Sequence, residues 1–230
     1  MLIGGFQKCS MIDYPNKLSA IVFTIGCNFK CPYCHNPELV TRTKDCSLIE
    51  QSFVLDFLKT RINKLDAIVI SGGEPCLQKD LKDFIKQVKE LGFLVKLDTN
   101  GSFPNVIKDL ISDNLIDYIA MDIKSTMPKY SNFFADSKVS ESAISESIKI
   151  IMQSGIDYEF RTTVCKELLK LKDFEEIGKT LISAKKYYLQ KFVSSKHIDE
   201  TYTNTTTYND DEFTQIKNIL SKYVKQVYIR

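Results

Sequence analysis

The sequence predicts an α/β protein built on a mostly parallel sheet, and three features carry that prediction. Short apolar runs rich in β-branched residues alternate with longer segments of helical period. Polar or glycine-containing turns flank the runs. Each helical segment is long enough to return the chain for another parallel strand. The predicted strands are 19–25 (SAIVFTI), 67–71 (AIVIS), 93–98 (FLVKLD), 118–123 (YIAMDI), 157–164 (DYEFRTTV) and 187–193 (YYLQKFV). Between them, apolar residues three and four apart predict helices over 48–62, 78–91, 105–111, 140–152 and 173–185. The Thr/Asn-rich stretch 194–209 reads as a polar loop, followed by a helix over 210–221 and a short strand, QVYI. Residues 1–230 read as one domain, with 1–17 an N-terminal extension, 18–193 the repeating βα body and 210–230 a C-terminal helix and strand. Periodicity fits an open doubly wound sheet and a curved, incomplete barrel equally. Both gather ligands at the C-terminal ends of their strands, so the residues just after each strand are the candidates for chemistry.

Composition excludes several classes. Hydrophobic residues at 43% and charged residues at 26% are those of a soluble globular chain. Thirty-one basic residues against 29 acidic ones, spread along the sequence, create no broad field for nucleic acid or an anionic membrane, and neither is expected as a partner. No apolar run approaches the ~18 residues of a membrane span, and MLIGGFQKCSMIDYPNK lacks the pattern of a secretion leader, so a cytoplasmic protein is expected. Seven cysteines, an odd number in a chain of this length, suit thiolate ligands in a reducing compartment better than a disulfide framework.

Three of those cysteines, Cys27, Cys31 and Cys34, follow the first predicted strand within GCNFKCPYCHNP. Their spacing also suits one face of a helix, but Gly26, Asn28 and Pro32 favour a loop. A structural zinc ion wants four ligands, which His35 or Cys46 would have to complete. A [4Fe–4S] cluster with three thiolates leaves one iron free for a ligand that is not protein. The second predicted strand ends in SGGEP, where Gly72 and Gly73 allow unusual backbone and a close approach, and Glu74 is an acceptor suited to an ammonium group. The fourth ends in MDIK, which puts Asp122 and Lys124 on one face, paired with each other or with a polar ligand.

CNFKCPYC has the pattern CxxxCxΦC, with Φ aromatic, and here the chain resembles the radical S-adenosylmethionine (SAM) enzymes. That resemblance implies a partial (β/α)6 TIM-like barrel. It also implies a [4Fe–4S] cluster on Cys27, Cys31 and Cys34, SAM chelated to the open iron, Tyr33 beside the cofactor, and Gly72, Gly73 and Glu74 near the SAM amino group. DTNG (98–101) with Asp122 and Lys124 resembles the glycyl-radical-enzyme activases. There Lys124 would lie near the SAM carboxylate, while Asp98, Thr99, Asp122 and the carbonyl of Ala120 would hold a monovalent cation. Arg161 matches an arginine close to the active site. The opening segment, CPYCHNPELV, SGGEP and LQKF look most like the activating proteins of anaerobic ribonucleoside-triphosphate reductase. QKFVSS lacks the histidine found near this point in pyruvate formate-lyase activases, so His197 is not taken as its equivalent, and no inserted ferredoxin-like cysteine pairs are present.

The implied chemistry is reductive cleavage of SAM to a 5′-deoxyadenosyl radical, which takes hydrogen from a glycine of a partner glycyl radical enzyme. Flavodoxin or ferredoxin would supply the electron. Two alternatives stand beside it: a radical SAM enzyme acting on a small molecule, as the 7-carboxy-7-deazaguanine synthases do, and a non-catalytic zinc or electron-transfer module. Cys9, Cys46, Cys76 and Cys165 carry no assigned role and read mainly as small buried side chains.

Overall fold

The computed structural model describes residues 1–40, 47–136, 139–193 and 207–230. The chain runs β1 (Ile3–Tyr14), β2 (Lys17–Thr24), α1 (Gln51–Lys59), β3 (Ala67–Gly72), α2 (Leu81–Glu90), β4 (Leu94–Thr99), α3 (Pro104–Ser112), β5 (Tyr118–Asp122), α4 (Glu141–Gln153), β6 (Asp157–Val164), α5 (Leu171–Thr180), β7 (Lys186–Lys191), α6 (Asp210–Leu220) and β8 (Gln226–Ile229). All eight strands form one sheet in sequence order. Strands β2 to β7 are the six parallel strands of a partial (β/α)6 barrel.

Strands buried on both faces need apolar side chains at successive positions, and the two faces then divide the work. One face sends Val22, Ile70, Leu97, Met121, Phe160 and Leu189 into the main core. There they meet the apolar stripes of the helices, among them Val54, Phe84, Ile107, Ile148 and Phe174. On the other face, Ser71, Asp98, Asp122, Arg161 and Gln190 come from five successive strands yet line a single cavity. A flat sheet cannot bring five strands around one space, so the sheet is curved with this face concave. Deeper in the concavity, Tyr14, Ile21, Ala67, Val69 and Tyr118 form a small second core.

The structure adds to the expected layout at both edges. Residues 3–14, expected as an extension, form β1, antiparallel to β2. Pro15 and Asn16 make the turn; proline presets the first corner and Asn16 takes the left-handed second corner at φ 59°. Three register shifts break the alternation of β1, which is why its sequence does not read as a strand. Its far end crosses the N-terminal mouth of the barrel: Tyr14 packs on Tyr118 at 5.6 Å between ring centroids, and the Lys96 ammonium donates to the Asp13 carbonyl. At the other edge α6, begun by an Asn209–Glu212 capping box, returns the chain so that β8 pairs parallel to β7. Helix α5 ends at Thr180 rather than 185, because Leu181 leaves helical geometry and Ser183 turns at φ 69°. Among the described residues, no helix is long and apolar enough to cross a membrane.

Because Phe84 is fully buried between α2 and the sheet, Phe84→Ala is expected to lower stability by about 3–5 kcal/mol. Lys86→Ala, on the exposed side of the same helix, should stay within about 0.5 kcal/mol of wild type. Urea denaturation followed by circular dichroism compares the two.

Candidate active site

Every parallel strand delivers its C-terminal end to the same rim, and the tightest point of that rim is the crossing of the β3 exit over the β2 exit. Gly73 N–H donates to Thr24 O at 2.8 Å and Glu74 N–H to Gly26 O at 2.7 Å. A Cβ on Gly73 would lie 2.1 Å from Gly26 O, and one on Gly72, at φ 112°, 2.3 Å from Thr24 N. Both glycines line the cavity. What forbids a side chain there, however, is neighbouring backbone, a reason the sequence reading did not supply.

Glu74 lies beneath the rim, completely buried, and does not line the cavity. Its Oε1 accepts from Cys76 N at 3.1 Å and Thr99 Oγ1 at 2.8 Å, and its Oε2 from Asn100 N at 2.7 Å. The expected contact with a ligand ammonium is therefore not what this geometry offers; the carboxylate ties the β3 turn to the end of β4. Burial pushes its pKa up, against the pull of these donors.

The cysteine loop is held at several points. Gly26 N and Cys27 N donate to the carbonyls of Leu39 and Val40 at 2.8 and 3.1 Å, Lys30 N donates to Phe133 O at 2.8 Å, and Cys34 N closes a turn on Cys31 O. Phe29 is buried against Tyr130 and Phe134. The loop thus presents Cys27, Cys31 and Cys34 to a cavity of about 430 Å³, which Tyr33, Asp98, Thr99, Asp122, Lys124 and Arg161 also line. Of the expected contact residues, Glu74 and Ala120 are absent from its wall.

Charges alternate along the concave face. Lys96, almost fully buried, lies 3.2 Å from Asp98 Oδ1, an ion pair without hydrogen-bond alignment, since Oδ1 has no hydrogen-bond partner. Arg161 Nη1 donates to Asp98 Oδ2 at 3.1 Å, its Nε donates to Asp122 Oδ1, and Lys124 Nζ donates to Asp122 Oδ2 at 2.8 Å. Burial would raise both carboxylates. Arg161 with Lys96 outweighs it at Asp98, and Arg161 with Lys124 outweighs it at Asp122, so both are held below the usual range. Lys124 in turn is held well above the usual lysine value, Asp122 overcoming desolvation.

At the cysteines burial dominates, pushing the thiol of Cys27 up to about 12 and that of Cys31 up to about 11. Both are thiols at neutral pH, so ligand formation there releases protons. Tyr33, its ring 5.8 Å from Lys124 Nζ, is buried with a hydroxyl that has no partner.

Tyr33 Oη, buried without a hydrogen-bond partner on a residue lining the cavity, calls for a polar ligand, whereas Asp98 Oδ1 meets the Lys96 ammonium. Three soft thiols on the same wall suit iron–sulfur chemistry. Among the described residues, no three His, Cys, Asp or Glu side chains converge closely enough to hold a single ion. The donors expected for a monovalent cation are mostly committed. Ala120 is buried within β5 and does not line the cavity, Thr99 Oγ1 donates to Glu74, and Arg161 bridges the two aspartates. Cys46 and His197 lie outside the described residues. Cys76 and Cys165 are buried, as expected, while Cys9 is exposed.

Sequence reasoning missed Asp13, Ser71, Asn100, Thr163 and Gln190 in the cavity wall. For Lys96 a signal existed: a lysine inside the apolar strand FLVKLD, two residues from Asp98 and so on its face. For Asp13 there was none, because it arrives through the irregular end of β1.

The sequence profile of the Radical SAM superfamily matches residues 21–181. A Methanocaldococcus jannaschii protein assigned as a glycyl-radical enzyme activating enzyme is 39% identical over 234 residues, spanning 100% of this chain and 95% of the relative. A second protein of that organism with the same assignment is 28% identical over 98% of this chain and 85% of its own length. Among solved structures, Streptococcus suis SuiB bound to S-adenosylmethionine superposes with a TM-score of 0.67 at 14% identity, over 91% of this chain. This chain spans 49% of SuiB, and the likeness concerns the fold.

Arg161→Met removes the cation shared by two buried carboxylates and is expected to cost about 3–5 kcal/mol at pH 7. In wild type the depressed carboxylates contribute stability that is present above their unfolded pKa of about 3.9 and lost as the pH falls below it. In the variant at least one carboxyl titrates higher, so its destabilisation should shrink as the pH falls from 7 to 5. Urea midpoints at both pH values test this, and an equal loss at each would contradict it.

Proposed function

Because the chain belongs to the radical SAM superfamily, we propose that it is an activating enzyme that uses SAM and a [4Fe–4S] cluster to oxidise a glycine in a partner glycyl radical enzyme. One observation carries the reading: three thiols from one short loop line the same cavity as Tyr33, whose buried hydroxyl has no hydrogen-bond partner. The two relatives matched over nearly their whole length support the activase assignment. When bound, the cluster and SAM supply hydrogen abstraction, one electron entering and one Cα hydrogen leaving, with methionine and 5′-deoxyadenosine as products.

The protein's own part is to hold and to shield. Cys27, Cys31 and Cys34 are the cluster ligands, brought together by the backbone clamps of their loop. Lys124 spends one N–H on Asp122 and keeps the others for the carboxylate of SAM. Tyr33 Oη takes a polar group of the nucleoside or its amino-acid tail. Gly72 and Gly73 bring bare backbone to the cavity wall, while Glu74 positions Thr99 and Asn100 from below. Arg161 keeps both aspartates ionised. The buried rings of Phe29 and Tyr33 exclude water from the reacting end.

We take the chain as one domain that works in the cytoplasm. Its electron comes from a low-potential flavodoxin or ferredoxin, and its partner is anaerobic ribonucleoside-triphosphate reductase, the choice favoured by CPYCHNPELV, SGGEP and LQKF. Anaerobic reconstitution, reduction and addition of SAM should yield 5′-deoxyadenosine. Electron paramagnetic resonance (EPR) should then show a glycine-centred doublet on the reductase. 5′-Deoxyadenosine without a radical on any glycyl radical enzyme would put a small-molecule substrate in its place. Cys31→Ala should lose both the iron and SAM cleavage, and a fully active variant would falsify the ligand assignment.

A further inference from the structure

We propose that Asn100 is a redox-positioning residue: its side-chain amide N–H faces the Cys27 sulfur and raises the reduction potential of the cluster. This rests on the reading of Cys27, Cys31 and Cys34 as cluster ligands.

Behind the cysteine loop lies a closed ring of three buried polar side chains. Asn28 Nδ2 donates to Ser102 Oγ at 2.8 Å, Ser102 Oγ donates to Asn100 Oδ1 at 2.5 Å, and Asn100 Nδ2 donates to Asn28 Oδ1 at 2.9 Å. The orientation of the Asn100 amide is decided by backbone, because Ser102 N–H, which can only donate, meets Oδ1 at 2.9 Å. Turning the amide over would set NH₂ against N–H. Nδ2 therefore faces the loop with two hydrogens: one goes to Asn28, and the other is directed at Cys27 Sγ, 4.0 Å away. Among the described residues, Asn100 is the one side chain that donates to any of the three thiols. The other donor to Cys27 is the Phe29 backbone N–H at 3.4 Å.

The three side chains are all more than nine-tenths buried, so the amide dipole acts in a weakly screened environment. A donor to a ligand sulfur favours the more negative state of a cluster, which is the reduced one. Asn28 stands within the loop itself, so its Oδ1, which accepts from Asn100 Nδ2, sets the distance from the amide to Cys27. An apolar pair would pin the loop without the cost of desolvating three polar groups. It would place no dipole on the sulfur.

The test is an EPR-monitored redox titration of reconstituted enzyme. Asn100→Leu should lower the midpoint so that the reduced fraction relative to oxidised, at the wild-type midpoint, falls about tenfold, equivalent to 59 mV for a one-electron couple. Asn100→Asp, which keeps the size and adds a negative charge, should fall further. Ser102→Ala leaves Ser102 N–H on Oδ1 and should titrate as wild type. A wild-type midpoint in Asn100→Leu, or an equal shift in Ser102→Ala, would overturn the proposal. So would failure of both Asn100 variants to fold or take up the cluster, since the ring would then belong to the fold rather than to the electron chemistry. Absence of any reduced-cluster signal in wild type would instead remove the ligand assignment beneath it.

Discussion

The site depends on one close approach of backbone to backbone, where the exit of β3 passes over the exit of β2. With Gly73 against the Gly26 carbonyl and a hydrogen bond on either side, the start of the cysteine loop is fixed against the next strand. Glu74 extends that constraint to β4 by offering both carboxylate oxygens to the turn and to Thr99 and Asn100. A buried carboxylate is costly to desolvate, and three donors offset the cost. Hydrogen bonds therefore tie three successive strand ends to one another, the support that a site assembled from several loops requires.

Above this clamp the concave face solves a second problem, how to keep a polar cavity inside a small barrel. Lys96, Asp98, Arg161, Asp122 and Lys124 alternate in sign, so each charge has a partner and none must be expelled to solvent. Tyr33 Oη, by contrast, is left without a hydrogen-bond partner on a residue of the same wall and marks where a polar group of a ligand would be received. The convex face, which the helices cover and which admits no ligand, is predominantly apolar, and its Thr162 hydroxyl is bonded to the Ile123 carbonyl and Tyr187.

Much of this was legible before any coordinates. The six parallel strands appear close to their predicted bounds because continuous β-branched runs and helical periodicity are local signals. The three cysteines, GGEP, DTNG and DIK lie at or just after the C-terminal ends of strands, where this class of fold collects its chemistry. What was not legible was the role of Glu74. An acceptor beside two glycines reads as a ligand contact, and only the packing of β4 against the β3 turn reveals that its oxygens are already taken. Strand β1 escaped notice because its bulges destroy alternation, and with it went Asp13 and the closure of the barrel mouth.

By itself the sequence determined the order of elements, the three-thiol loop and the set of residues at the strand ends, since spacing and pattern act within a few residues along the chain. The tertiary structure alone decided which of those residues face the cavity, which pair with one another, and which atoms remain without partners. Those outcomes turn on the curvature of the sheet and on contacts between strands dozens of residues apart, as when Arg161 reaches Asp98 or Asn100 reaches Asn28. No local pattern encodes such a meeting, because it exists only once all the strands are packed together.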